Sequence, residues 1–151
     1  MEVTTKKRGG VTLIEMMIVV TIIALMTGVA FPSLIAGLAG IRLASAAGTV
    51  ASFLTSSMNR VERREQAAAI VIMPKENRIE RFTVSDKPDD SLEMPSGVFL
   101  EGDAPRRIVL MPGGTVPRIR ILLRNERGAR RSVQVDPVTG VPNIQRVEEA
   151  K

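Results

Sequence analysis

Polar and apolar positions along this chain fall into three regimes. The first is a run of 21 residues, Val11 to Phe31, whose only polar side chains are Thr12, Glu15, Thr21 and Thr27. At about 1.5 Å of rise per residue such a run covers the hydrocarbon core of a bilayer, which predicts one spanning helix over 11–31. The second regime has apolar residues at Leu34, Leu38 and Ile41, then at Leu43, Ala47, Val50, Leu54, Met58 and Val61. These three- and four-residue steps predict an amphipathic helix over 32–65 with one apolar stripe. Pro32 stands between the two and removes a backbone donor, which predicts a bend rather than an end.

Beyond residue 65 the period shortens. Ala67–Met73 is a short apolar run, and Arg78–Val84 favours β structure, with Pro74, Glu76 and Asn77 as turn residues between them. Ser85–Ser96 is polar and Pro-containing and reads as an exposed loop. Gly97–Glu101 and Arg106–Met111 follow as short strands. In Arg118–Arg124, Ile119, Ile121 and Leu123 alternate with Arg118, Arg120, Leu122 and Arg124, and Val133 and Val135 share a face of Arg131–Asp136. With Asn125-Glu126-Arg127-Gly128 between them, these two segments predict a hairpin whose apolar side faces the helix. Asp136–Gly140 reads as a turn, and the tail beyond Ile144 as loose. The expectation is an α+β fold: a long N-terminal helix packed on a small, mainly antiparallel β domain over 66–151.

Charge orients the membrane segment. Lys6, Lys7 and Arg8 precede the apolar run against one acid, Glu2. The positive-inside rule keeps that end cytoplasmic and sends the C-terminal domain across. The whole chain carries +5, of which the leader supplies +2, so a mildly basic domain remains. With 0 Cys and 0 His, metal clusters, Cys nucleophiles and His-based triads are excluded. The carboxylate pairs Asp89-Asp90 and Glu148-Glu149 lie in polar, Pro-flanked or terminal contexts and read as solvated surface. Gly113-Gly114 and Gly9-Gly10 lack the strand, helix and Lys that a phosphate loop needs. No catalytic residue, metal or cofactor is expected.

Glu15 is the anomaly. An acid inside an apolar run costs a few kcal/mol unless a partner answers it, by analogy with the roughly 2.5–3.5 kcal/mol for Asp, Lys or Arg at a helix centre. The residues alone admit a plain signal anchor, with Glu15 favoured by the helix dipole. They also admit a secretory signal peptide with small residues at Gly28-Val29-Ala30, although the apolar run is longer than usual. A third reading has the chain cut after Gly10, so that the freed amine of Val11 lies beside a carboxylate. Gly10, Val11, Thr12, Leu13, Ile14 and Glu15, with Pro32 seventeen positions on, resemble the type IV pilin superfamily, which includes the pseudopilins of type II secretion. The departure is Val11, where Phe is commoner.

That resemblance implies cleavage between Gly10 and Val11 by a membrane-embedded prepilin peptidase, followed by methylation of the new amine. It implies that Glu15 pairs with a neighbouring subunit's N-terminus during assembly, and that Pro32 bends the helix. The partners implied are other pilins or pseudopilins in a helical fibre and an inner-membrane assembly platform. The location implied is the bacterial inner membrane, single-pass, with a periplasmic domain extracted into the fibre. A helix followed only by strands resembles, more weakly, the GspH/FimT group of minor pseudopilins and pilins. Some pilus members of that group bind DNA through a C-terminal basic segment. Here Gly140 is followed by Val141, Pro142 and Asn143, so that segment is missing, while Arg118, Arg120, Arg124, Arg127, Arg130 and Arg131 cluster on the predicted hairpin. Such a cluster could contact phosphates. A solvated strand face that resists edge-to-edge aggregation is the preferred reading. Phe53, Phe82 and Phe99 are assigned to the core, leaving no aromatic for base stacking.

Overall fold

The computed structural model of the protein describes residues 11–147, the side chains of 29–36 excepted. Gly10 and the Glu148-Glu149 pair therefore lie outside the described residues, as does the Pro32 side chain; the backbone at Pro32 is helical. One helix, α1, spans Leu13–Arg64. It ends where Glu65 turns left-handed at φ 50°. Two compact units divide the chain, Met1–Gly37 and Leu38–Lys151.

In the second unit eight strands follow the helix. They are β1 (Ala68–Met73), β2 (Arg78–Phe82), β3 (Asp90–Glu93), β4 (Val98–Leu100), β5 (Arg106–Leu110), β6 (Arg120–Asn125), β7 (Arg130–Val135) and β8 (Pro142–Val147). They form two antiparallel sheets rather than one, in the orders β3-β2-β1-β5 and β4-β6-β7-β8. The α+β class holds. Two expectations do not. Asp90–Glu93 lies inside the stretch read as a loop, yet it pairs with β2 in the register Ile79↔Leu92 and Arg81↔Asp90. The tail beyond Ile144 is not loose either, because β8 pairs with β7 through Arg130↔Val147. Both are edge strands with polar sequences, which burial patterning marks only weakly, and Pro142 sits where an edge tolerates it.

The core joins the helix to both sheets. Leu43, Ala47, Val50, Leu54 and Val61 pack with Ile70, Ile72 and Ile79 of the first sheet and Leu100, Ile121, Leu123, Val133 and Val135 of the second. Of the stripe read from the sequence, Leu43, Ala47, Val50, Leu54 and Val61 are buried and Met58 is half-buried. Of its earlier members, Leu38 and Ile41 are exposed and the Leu34 side chain lies outside the described residues.

Asn77 ties the sheets together. It closes the β1–β2 turn at φ 54°, its N–H donating to the Pro74 carbonyl at 3.1 Å. Its side-chain amide then reaches β4: Nδ2 donates to the Val98 carbonyl at 2.8 Å and Oδ1 accepts the Leu100 N–H at 2.9 Å. Those two backbone groups belong to buried residues. Replacing Asn77 with Ala would leave both unpaired and put in left-handed backbone a residue that adopts it less readily than Asn. At about 1–3 kcal/mol for each of the two orphaned buried groups, a loss of about 2–6 kcal/mol is expected, read as a lower urea midpoint.

Candidate assembly segment and arginine face

The first unit presents an apolar helix with one charge. Thr12 starts it: its carbonyl accepts the N–H groups of Glu15 and Met16 at 3.1 and 3.2 Å, and its Oγ1 accepts the Glu15 N–H at 3.3 Å. Thr12 and Glu15 stand at the spacing of a capping box, Thr at the cap and Glu three residues in. That signal is legible in Thr-Leu-Ile-Glu, and the reading of Glu15 as an anomaly passes over it. The negative side chain at this end also suits the helix dipole.

The other two hydroxyls of the segment are satisfied within it. Thr21 and Thr27 Oγ1 donate to the carbonyls of Met17 and Ile23 at 2.7 and 2.8 Å. Neither of these two threonines thus carries an open hydroxyl donor into an apolar environment, as a membrane helix requires. Every residue from Val11 to Gly28 is exposed. A continuous apolar surface of this size marks a membrane or protein contact. Among the described residues, the Glu15 carboxylate has no ion-pair partner.

By length and composition, Gly37–Arg64 is also apolar enough to cross a membrane, with mean hydropathy 1.3, while Leu13–Gly28 is shorter. Burial separates the two. Ala47, Val50 and Leu54 are fully buried against the sheets, so the apolarity of Gly37–Arg64 is accounted for by its own domain. That of Leu13–Gly28 is not.

The six arginines of the predicted cluster do not form one surface. In β6, Ile121 and Leu123 point inward and Arg120 and Arg124 outward, as the alternation requires. Cross-strand register puts Arg130 directly opposite Arg124, on the outer face, and Arg131 opposite Leu123, on the other. Arg127 lies in the hairpin turn and Arg118 precedes β6. The structure therefore brings Arg120, Arg124 and Arg130 to one face and Arg131 to the other.

Arg124 and Arg130 are like charges across a strand pair, which is unfavourable. Two neighbours relieve this. The Arg124 guanidinium lies 5.2 Å from the Phe99 ring centroid, and Arg130 Nε donates to Glu101 Oε1 at 2.7 Å. Phe99 is therefore a support for Arg124 on the outer face and not a core residue. Phe53 is in the core, 8% exposed.

The Asp89-Asp90 pair is not simply solvated surface. Register places Arg81 beside Ile70 on the core face of the first sheet, and its side chain is 2% exposed. Arg81 Nε donates to Asp89 Oδ2 at 3.3 Å, Nη2 to Asp90 Oδ2 at 3.0 Å and Nη1 to Ser57 Oγ on the helix at 3.1 Å. The guanidinium also stands 5.7 Å from the Phe53 ring centroid. Arg60 reaches Asp89 Oδ2 at 3.5 Å. The pair is the counter-ion of a buried arginine. Its signal is the alternation of Ile79 and Arg81, which puts both on one face.

Asp136 organises the β7–β8 turn, its Oδ1 accepting the N–H groups of Val138 and Thr139 at 2.7 and 3.1 Å. The Val138 bond, then the Thr139 bond, hold its carboxyl below the ordinary value. Among the described residues no group of three or more acidic side chains converges as a metal site.

Compared with known protein families, residues 5–31 match the one described as the prokaryotic N-terminal methylation motif. No curated protein and no solved structure matches the chain. The matched residues include the capped start of α1, Glu15 and the exposed apolar run. At its N-terminus, this chain carries a type IV pilin-like prepilin signal.

Proposed function

We propose that this chain is a minor pseudopilin, a structural subunit of a type II secretion pseudopilus, most like the GspH/FimT group. Proteins with this signal are structural subunits, and the chain fits a single-pass protein anchored in the inner membrane. On this reading residues 1–10 are a leader removed by prepilin peptidase, and the freed amine of Val11 is methylated. Residues 11–31 anchor the subunit, 32–65 continue the helix into the domain, and 66–151 lie in the periplasm. Other pseudopilins and the assembly platform are its partners. The observation that carries this is the methylation motif running into an exposed apolar helix whose one carboxylate, Glu15, has no partner within the described residues.

Processing is tested at Gly10. Gly10→Val should abolish cleavage, leaving the leader on the chain, whereas the unchanged protein should yield a methylated Val11 amine by mass spectrometry. Cleavage of the variant at an unchanged rate would reject Gly10 as the determinant.

A second reading is a minor type IV pilin of the FimT kind, acting in pilus assembly or DNA uptake. It is favoured by the outer face bearing Arg120, Arg124 and Arg130. A strain lacking the gene separates the two. Secreted enzymes retained in the periplasm, and released when the intact gene is restored, place the chain in a secretion pseudopilus. Normal secretion favours the pilus.

A further inference from the structure

Glu15 and Arg42 are the only charged residues between Val11 and Asn59, and residues 16–41 between them carry no charge. At about 1.5 Å per residue this run has about 39 Å of helix contour. That exceeds the roughly 30 Å hydrocarbon core and approaches the roughly 40–45 Å of a bilayer with its headgroups. Leu38 and Ile41, at its end, are 54% and 66% exposed, large apolar side chains that the domain core does not use. Arg42 follows, also exposed, and opens a groove of about 320 Å³ between α1 and the end of β3. Ser45 and Thr49 line the helix side; Leu92, Glu93, Met94 and Pro95 line the other. Glu93 is exposed too, and among the described residues neither it nor Arg42 has an ion-pair partner.

We propose that, before the subunit enters a fibre, this groove holds the headgroup of a phospholipid from the outer leaflet of the membrane, its phosphate on Arg42 and its ammonium toward Glu93. The inference rests on the anchored reading above and carries the membrane contact on from residue 31 to Arg42. Charge selects the occupant. A guanidinium and a carboxylate across one groove match a zwitterionic headgroup, a phosphate joined to a primary ammonium; a purely anionic one would be repelled by Glu93. Apolar surface sets the depth. Leu38 and Ile41 lie within one turn of Arg42, and an arginine at the end of an apolar run lays its stem along that surface with its guanidinium among the phosphates. At the other end of the run, the same depth leaves Glu15 among the inner headgroups, which spares it burial in hydrocarbon while it waits for a partner.

The chain has 0 Cys, so one introduced thiol carries one fluorescent probe without background. The full-length chain, with a probe on Ile22→Cys, Ile41→Cys or Thr55→Cys, would be inserted with its domain outside into vesicles of phosphatidylglycerol, with and without phosphatidylethanolamine. Iodide quenches from water and nitroxide-labelled lipids quench from a known depth. The probe at 22 should be quenched by nitroxide on the acyl chains, that at 41 by nitroxide on the headgroup, and that at 55 by iodide. In the mixed vesicles Arg42→Gln should raise iodide access at 41 by up to about fivefold, the worth of one exposed ion pair, and Arg42→Lys should not. Glu93→Gln should also raise it there, and lower it in phosphatidylglycerol alone, where no ammonium answers the carboxylate. A probe at 41 as open to iodide as that at 55, beside a deep probe at 22, would overturn this inference and spare the anchored reading. A probe at 22 open to iodide would overturn both. Shielding at 41 unmoved by Arg42→Gln would overturn the phosphate contact, and the same response to Glu93→Gln in both vesicles would overturn the choice of headgroup.

Discussion

Arg81→Ala is expected to lower the stability of the unit Leu38–Lys151 by roughly 3 kcal/mol, read as a fall in urea midpoint with unchanged slope. The guanidinium belongs to the largest fully buried side chain in the domain. It fills space against Phe53 and joins the helix, β2 and β3 through Ser57, Asp89 and Asp90. Its removal forfeits those bonds and opens a cavity beside Phe53. Breaking a buried ion pair costs about 3–5 kcal/mol, and the lower end applies because the side chains of Asp89 and Asp90 are 24% and 47% exposed and can be hydrated when abandoned. Arg81→Met, which refills the space, should cost less. Asp89→Asn with Asp90→Asn should cost at least as much as Arg81→Ala, since it strands the charge inside. A fully stable double Asn variant would show that Ser57 and Phe53 suffice to hold the guanidinium.

Glu15→Ala should insert into the membrane normally and enter fibres at least tenfold less efficiently, equivalent to about 1.4 kcal/mol of lost subunit affinity. Removing an acid from an apolar run can only favour insertion, so a defect confined to assembly isolates the pairing role. The capping box supplies the alternative explanation, and Glu15→Gln separates them. Gln serves a capping box as Glu does, but carries no charge. If pairing is the role, Gln fails as Ala does; if capping is, Gln restores assembly. Fibre formed by the Glu15→Ala variant at the level of the unchanged chain would sink both. Quantitative blotting of sheared fibres against membrane-retained protein gives the ratio.

The N-terminal signal is legible in the sequence because it is local: a basic leader and a long apolar run with one acid inside it, all within 31 residues. The helix stripe from Leu43 to Val61 is legible for the same reason, since a 3.6-residue period survives in any window. Ile119, Ile121 and Leu123 likewise alternate cleanly and lie inward. What the sequence hides depends on partners distant along the chain. β3 forms from polar Asp90-Ser91-Leu92-Glu93 because β2 offers an edge and Arg81 draws in two carboxylates, neither of which local propensity contains. β8 extends to Val147 because β7 offers it a partner. Proximity along the hairpin groups six arginines into a cluster. Strand pleating instead assigns Arg131 to the opposite face from Arg130, and Phe99 lies outward under Arg124.

Asn77 has a consequence for how the domain comes together. Its amide can dock on β4 only after the β1–β2 turn has formed, and β4 lies 21 to 23 residues further along the chain. The second sheet is thereby completed by a group that the first sheet holds in place. Neither sheet has a path to full order that leaves the other behind, and the amide protons of Leu100 and of the β1–β2 hairpin should exchange through one shared opening rather than two.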